Sequence, residues 1–155
     1  MNVKRPLAAV TLALMTLTLL AAPSAAEYRP EFKLSVVITN ETAWGRAAIR
    51  FADILRYRTQ GRINIKNYFE GQLFKGKQTT EFLLLQQGAA DFAMGSTINW
   101  SAQVKELNLF ALPFLFPSYQ AVDAVQAGEP GQRLFTLIEQ KGVVPIAGGR
   151  TGSAS

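Results

Sequence analysis

Lys33-Leu34-Ser35-Val36-Val37-Ile38-Thr39-Asn40-Glu41-Thr42-Ala43-Trp44-Gly45-Arg46-Ala47-Ala48 is the stretch on which the fold turns. Residues 33–39 are rich in β-branched side chains and continuous enough for a strand covered on both faces. Asn40 or Thr42 can cap the helix that follows. In it Trp44, Ala47, Ala48, Phe51, Leu55 and Arg58 recur at spacings of three and four, a largely apolar stripe. Arg46, Arg50, Asp53 and Tyr57 fall elsewhere, mostly towards solvent. Gly61 stands where a C′ glycine would end the helix. Residues 62–66 then alternate with period two, as a second strand does.

Outward from this unit the alternation continues. Residues 71–76 read as a turn and 77–87 as a helix, with Phe82, Leu83, Leu85 and Gln86 on or near its inner side and Gly88 stopping it. Residues 90–95 form a third short strand. The stretch 97–117 is ambiguous, with Trp100 and the run 107–116 expected to be packed. Helices are expected at 118–126 and 131–141, separated by a Glu129-Pro130-Gly131 loop, and a last strand at 143–147. A β-α-β-α-β-α-α-β order implies an α/β sandwich with a mostly parallel sheet flanked by helices. No internal repeat is visible. Residues 148–155 carry no apolar side chain larger than Ala and are expected to be a disordered tail.

Residues 1–26 read as a cleavable signal peptide. Lys4 and Arg5 form a basic start, residues 7–20 an apolar core, and Pro23-Ser24-Ala25-Ala26 a small-residue cleavage site before Glu27. The core falls short of the roughly 20 residues a spanning helix needs. The run 107–116, broken by Asn108 and Pro113, cannot span either. Without the first 26 of the 155 residues, 129 remain; losing Lys4 and Arg5 takes the 16 basic residues to 14 against 11 acidic ones, a net charge of +3 in place of +5. That modest excess gives no support to nucleic acid as a partner. With no Cys and no His, disulfides, thiolate or imidazole metal sites and a Ser-His-Asp triad are excluded within this chain.

Three chemistries compete for the polar residues. Gly71-Gln72-Leu73-Phe74-Lys75-Gly76-Lys77-Gln78 nearly matches the phosphate-loop pattern, between a strand and a helix. Gln78, however, stands where a Mg²⁺-binding hydroxyl is needed, so the reading is a plain glycine turn and neither nucleotide nor metal is expected as cofactor. Carboxylate hydrolysis needs two acids across a cleft. Asp53, Glu81, Asp123 and Glu139 lie on expected helices and read as solvated. Glu41 and Glu70, at β-to-α turns, are the candidates for a secreted hydrolase. Binding fits better. Ligands of open α/β sheets sit at the carboxyl ends of the strands, and those ends carry Asn40, Glu41, Thr42 and Trp44, then Gly71 and Gln72, then Ser96, Thr97 and Asn99. Apart from Glu41 these are uncharged and mostly polar, suited to holding a small solute. For Trp44 core packing is as good a reading as ligand contact, and for Ser96 and Thr97 so is helix capping.

Gly45-Arg46 before the amphipathic helix, Thr59-Gln60-Gly61-Arg62-Ile63, Gly71-Gln72-Leu73, Leu85-Gln86-Gln87-Gly88-Ala89-Ala90-Asp91-Phe92 and Leu112-Pro113-Phe114-Leu115-Phe116 together carry a resemblance. The chain resembles the solute receptors of tripartite ATP-independent periplasmic (TRAP) transporters, the DctP type, over about residues 27–147. The resemblance implies one lobe of a type II periplasmic-binding fold at 27–147. It further implies a periplasmic receptor without catalytic activity that captures a small organic anion, a carboxylate, for TRAP permease subunits in the inner membrane. By position it implies ligand contacts from Asn40 and Trp44, from Gln72, and from Ser96, Thr97 and Asn99. Family members run to about twice this length, and the arginine that clamps the substrate carboxylate belongs to the further part. The chain is therefore expected to be a truncated form with impaired binding, its second lobe largely missing.

Overall fold

The β-branched run forms strand β1, Phe32–Val36, in a computed structural model that describes residues 31–149. The strand ends sooner than the sequence pattern suggests, the chain bending at Val37 and Ile38. Helix α1, Ala43–Arg58, follows with Thr42 as its cap: the Thr42 hydroxyl accepts the Gly45 N–H at 3.0 Å. The buried face of α1 is Gly45, Ala48 and Ala52, with Phe51 and Leu55 half-buried. Ala47 and Arg58, expected on this stripe, are exposed. The helix is rotated so that its smallest side chains meet the sheet, which brings the two backbones close. Gln60 and Gly61, at φ +54° and +79°, close the helix.

Strand β2 is Ile65–Tyr68, later than the 62–66 expected. After the turn at 71–76 a 3₁₀ turn, Gln78–Thr80, leads into a short helix α2, Glu81–Gln86, which Gly88 ends at φ +68°. Strand β3 is Phe92–Met94. The three strands are parallel in the order β2-β1-β3, with Phe32 opposite Ile65 and Ser35 opposite Ala93.

This order dictates the layers. Parallel connections are right-handed; β1 to β2 runs one way along the sheet and β2 to β3 runs back across β1, so α1 and α2 lie on opposite faces. Strand alternation agrees. Leu34 and Val36 pack with Ala48, Phe51, Phe92 and Met94 on the α1 side. Ser35 points the other way and meets Glu81 of α2. On that face Phe82, Val104, Leu107, Leu134, Ile138 and Val143 form a second core. Full burial of a side chain such as Phe82 is worth about 2–3 kcal/mol.

The ambiguous stretch becomes a one-turn helix α3, Thr97–Trp100, and a 3₁₀ segment, Lys105–Ala111. Trp100 packs edge-on to Phe82 at 5.6 Å and Phe110 stacks on Phe116 at 5.8 Å. Leu112, Phe114 and Leu115 are exposed, against the expectation that the whole run is packed.

Helices α4, Tyr119–Ala127, and α5, Glu129–Glu139, pack on each other. Glu129-Pro130-Gly131 is the first turn of α5 and not a loop. Pro130 fits there because first-turn amides need no acceptor within the helix, and Gly131 fits because a β-carbon would fall 2.6 Å from the Gln126 carbonyl carbon. Residues 143–147 do not form the expected last strand; Val143 is buried in the second core as irregular chain. The expected signal peptide at 1–26 lies outside the described residues, as does the tail beyond Gly149. No helix among the described residues is long and apolar enough to cross a membrane.

Candidate functional site

In the order β2-β1-β3 the chain leaves β1 towards one edge of the sheet and leaves β3 on the other side. The loops after these adjacent strands diverge and open a crevice at their carboxyl ends. A cleft of about 510 Å³ lies there. Val37, Ile38, Thr42, Ala43 and Trp44 line it after β1, Ser96, Ile98 and Asn99 after β3, and Gln78 reaches it from the 3₁₀ turn before α2.

Three of the six expected contacts, Trp44, Ser96 and Asn99, therefore come together, and Asn40, Gln72 and Thr97 do not line the cleft. Gln72 follows β2, on the far side of β1 from β3, and is exposed. Asn40 is exposed, with its backbone pressed against Gly45. Thr97 is half-buried at the start of α3. Gln78, which lines the cleft but is not among the expected contacts, lies against Asn99: the Asn99 side-chain amide donates to Gln78 Oε1 at 3.0 Å. This bond does not use the Gln78 amide N–H groups or the Asn99 carbonyl.

Ser96 occupies the cap position of α3 but makes no capping bond, so its hydroxyl is not consumed by the helix. The Thr42 hydroxyl is committed, accepting from Gly45 and donating to the Thr39 carbonyl at 2.8 Å. Ala43 and Trp44 are the first two residues of the 16-residue α1; amides at these positions have no acceptor within the helix, and the helix start carries partial positive charge. The lining has no charged side chain. It offers neutral donors, one helix start and an indole.

The sequence reading misplaces Glu81. Expected on a solvated face, it is fully buried. Ser35 Oγ donates to its Oε1 at 2.7 Å and Trp100 Nε1 to its Oε2 at 3.1 Å. Burial pushes its carboxyl up to about 7, against the lowering effect of these two bonds.

The phosphate-loop reading meets two obstacles. Phe74 is buried and packs on Gly71, with its Cζ 3.0 Å from where a β-carbon there would lie. The loop amides also turn inward: those of Gly71, Gln72, Phe74, Gly76 and Lys77 donate to Val36, Phe69, Gly71, Gly71 and Phe74 carbonyls. Glu41 and Glu70, the hydrolase candidates, are exposed and neither lines the cleft. Among the described residues no three His, Cys, Asp or Glu gather as a metal site would require.

Comparison with known proteins agrees with this fold. The sequence profile of the bacterial extracellular solute-binding proteins, family 7 (DctP), matches residues 34–155. The C4-dicarboxylate-binding periplasmic protein DctP of Rhodobacter capsulatus is 31% identical over 116 residues, 74% of this chain and 34% of that protein. The DctP of Shewanella loihica is 32% identical over 116 residues, 75% of this chain and 34% of that protein. The chain thus spans about a third of the length of these curated relatives. Among solved structures, a TRAP periplasmic solute-binding protein from Ralstonia eutropha with bound (S)-2-acetolactate superposes with TM-score 0.76 and 51% identity, over 77% of this chain and 38% of that one. Another from Sulfurospirillum deleyianum, with bound succinate, gives 0.67 and 30% over 72% of this chain and 36% of that one.

Proposed function

The chain belongs to the bacterial extracellular solute-binding proteins of family 7, and from that premise we propose that its cleft takes a small organic acid, as the anion, for delivery to TRAP permease subunits in the inner membrane. The observation that carries this reading is the meeting of the α1 start, Trp44, Ser96 and the Gln78–Asn99 amide pair at the switch between β1 and β3. A carboxylate bonds well to amide N–H groups at a helix start. Val37, Ile38 and Ile98 give apolar contact to its carbon skeleton. The (S)-2-acetolactate held by the Ralstonia eutropha protein makes a short branched hydroxy acid the first candidate, ahead of the dicarboxylates of the DctP relatives.

The receptor works in the periplasm, residues 1–26 being its cleaved leader and residues 27–147 the first-lobe portion of the solute-binding domain. It binds solute and does no chemistry on it. Sequencing the amino terminus of the exported protein checks the leader; a first residue other than Glu27 refutes that cleavage site.

Titration with (S)-2-acetolactate, succinate and L-malate, followed by nuclear magnetic resonance, tests the binding. Saturable shifts at the amides of Ala43, Trp44, Ser96 and Asn99 are expected with at least one of the three. Hydrolysis of an ester or glycoside, abolished by Glu41→Gln or Glu70→Gln, would instead establish the hydrolase reading.

A further inference from the structure

The backbone from Gly95 to Trp100 folds around one buried carboxyl group. Glu81 Oε2 accepts the Trp100 indole N–H, and Oε1 accepts the Ser35 hydroxyl of β1. A β-carbon on Gly95 would collide with Glu81 Oε2 and Trp100 Nε1 and would stand 2.7 Å from Trp100 Cε2. The indole is in turn seated on Phe82 in the second core. Between Gly95 and Trp100 stand Ser96, Ile98 and Asn99, the wall that the β3 side gives to the cleft. The Trp100 amide also donates to the Ser96 carbonyl at 3.1 Å. The wall is thus bonded to the carboxyl at one end, through Trp100, and packed against it at the other, at Gly95.

Among the described residues no cation bonds to this group. Its contacts are two neutral donors, and α3 and β3 contain no ionisable side chain. Lys33 of β1, Lys77 before the 3₁₀ turn, and Lys105 and Glu106 of the 3₁₀ segment behind Trp100 are all exposed. An ionised Glu81 would place an uncompensated negative charge behind a cleft that receives an anion. A neutral Glu81 can donate its own O–H to Ser35 and still accept from the indole.

We infer that Glu81 is a positioning residue for the cleft, holding Ser96 and Asn99 in place through Trp100 and Gly95, and that it does so as the neutral acid when an anion is bound. The reading of the cleft as an anion site is the premise of the second half only. Burial, which raises the carboxyl to about 7, puts the change of charge near neutral pH.

The test is a pH titration of the ¹⁵N-labelled chain between pH 5.5 and about 8.5, spanning the raised value. The Trp100 indole N–H and the amides from Gly95 to Asn99 should move together with one midpoint near 7. In Glu81→Gln, an uncharged near-isostere, they should stay at their acid-limit positions. Trp100→Phe keeps the ring packing on Phe82, removes the donor, and should decouple the Ser96 and Asn99 amides from the titration. Amides that do not titrate, or that titrate unchanged in Glu81→Gln, overturn the positioning role whether or not a solute binds; if Glu81→Gln does not fold, the Trp100→Phe titration decides. For the second half (S)-2-acetolactate is the probe, since an α-hydroxy carboxylate is ionised throughout this range. Its affinity should fall roughly tenfold from the acid to the alkaline side in the wild type and stay level in Glu81→Gln. Equal pH dependence in both overturns it. A wild type that binds none of the three acids refutes the proposed function and the anion-linked half together, leaving the amide titration to decide the first half.

Discussion

Gly45 of α1 lies so close to Asn40 that a β-carbon on it would fall 2.5 Å from the Asn40 Cα and 2.6 Å from its carbonyl carbon. The helix start is thereby folded back onto the loop that leaves β1, and this brings Ala43 and Trp44 to the cleft. Gly-to-Ala changes inside helices usually stabilise, by roughly 0.5–1 kcal/mol. Here the obstacle is backbone, which cannot swing aside as a side chain can. Gly45→Ala should therefore destabilise by about 1–3 kcal/mol, measured by urea unfolding. A neutral or stabilising result would mean that the loop gives way freely.

Glu81 makes stability fall as pH rises. Its carboxyl is raised from 4.5 to about 7 in the folded chain, so between these values the folded state holds a proton that the unfolded state has released. The contribution is full below pH 4.5, declines up to about 7 and is gone above it. A shift of that size corresponds to on the order of 3 kcal/mol. Unfolding curves at pH 5 and about 8 should therefore differ less for Glu81→Gln than for the wild type. If the two proteins lose stability in parallel over this range, the carboxyl is not the cause.

How far the sequence reaches is best judged at Gln72, Gln78 and Glu81. The strand-helix alternation, the parallel sheet and the caps at Thr42 and Gly61 are local matters, written in periodicity and turn chemistry. The order in which strands lie side by side is not local. All three strand ends look equivalent in sequence, which groups Gln72 after β2 with the residues after β1 and β3. Only the order β2-β1-β3 removes it from the crevice and brings in Gln78. Glu81 reads in sequence as one of the solvated acids because a short helix of mixed pattern does not say which face is covered. The Ser35 hydroxyl, set between Leu34 and Val36, is the available signal, since a buried hydroxyl needs a partner. The lost strand at 143–147 has a similar cause: an apolar run such as Val143-Val144-Pro145-Ile146 needs an edge to pair with, and here Val143 alone is buried while Val144 and Ile146 are exposed.

The cleft makes a sharp division among the candidate contacts. Asn99→Ala should remove the partner of Gln78 and weaken (S)-2-acetolactate binding by about tenfold, the worth of one to two hydrogen bonds. Trp44→Ala should cost at least as much, through lost indole contact. Gln72→Ala, on the far side of β1, should leave affinity unchanged. Calorimetry on the three variants checks the division. A Gln72→Ala effect equal to that of Asn99→Ala would move the site away from the switch point.

Phe114 is the most exposed large apolar side chain described, at 101% of its reference area, and its backbone sits at φ +60°. Both features work against a monomeric, stable chain. With Leu112 and Leu115 also exposed, the residues around Pro113 form an apolar patch of the kind that drives self-association. A left-handed conformation costs a bulky residue roughly 1–3 kcal/mol, which glycine avoids. Because the Phe114 ring is fully exposed, Phe114→Gly gives up no burial to set against that relief. Glycine does lose more backbone freedom on folding, a cost of roughly 0.5–1 kcal/mol. The net expectation is a gain of up to about 1 kcal/mol, together with a shift from oligomer towards monomer. Size-exclusion chromatography with light scattering reads the second effect, and thermal unfolding of both proteins at one low concentration reads the first. A Phe114→Gly chain that melts lower and associates as strongly would show that the ring is covered in solution by a contact absent from the isolated chain.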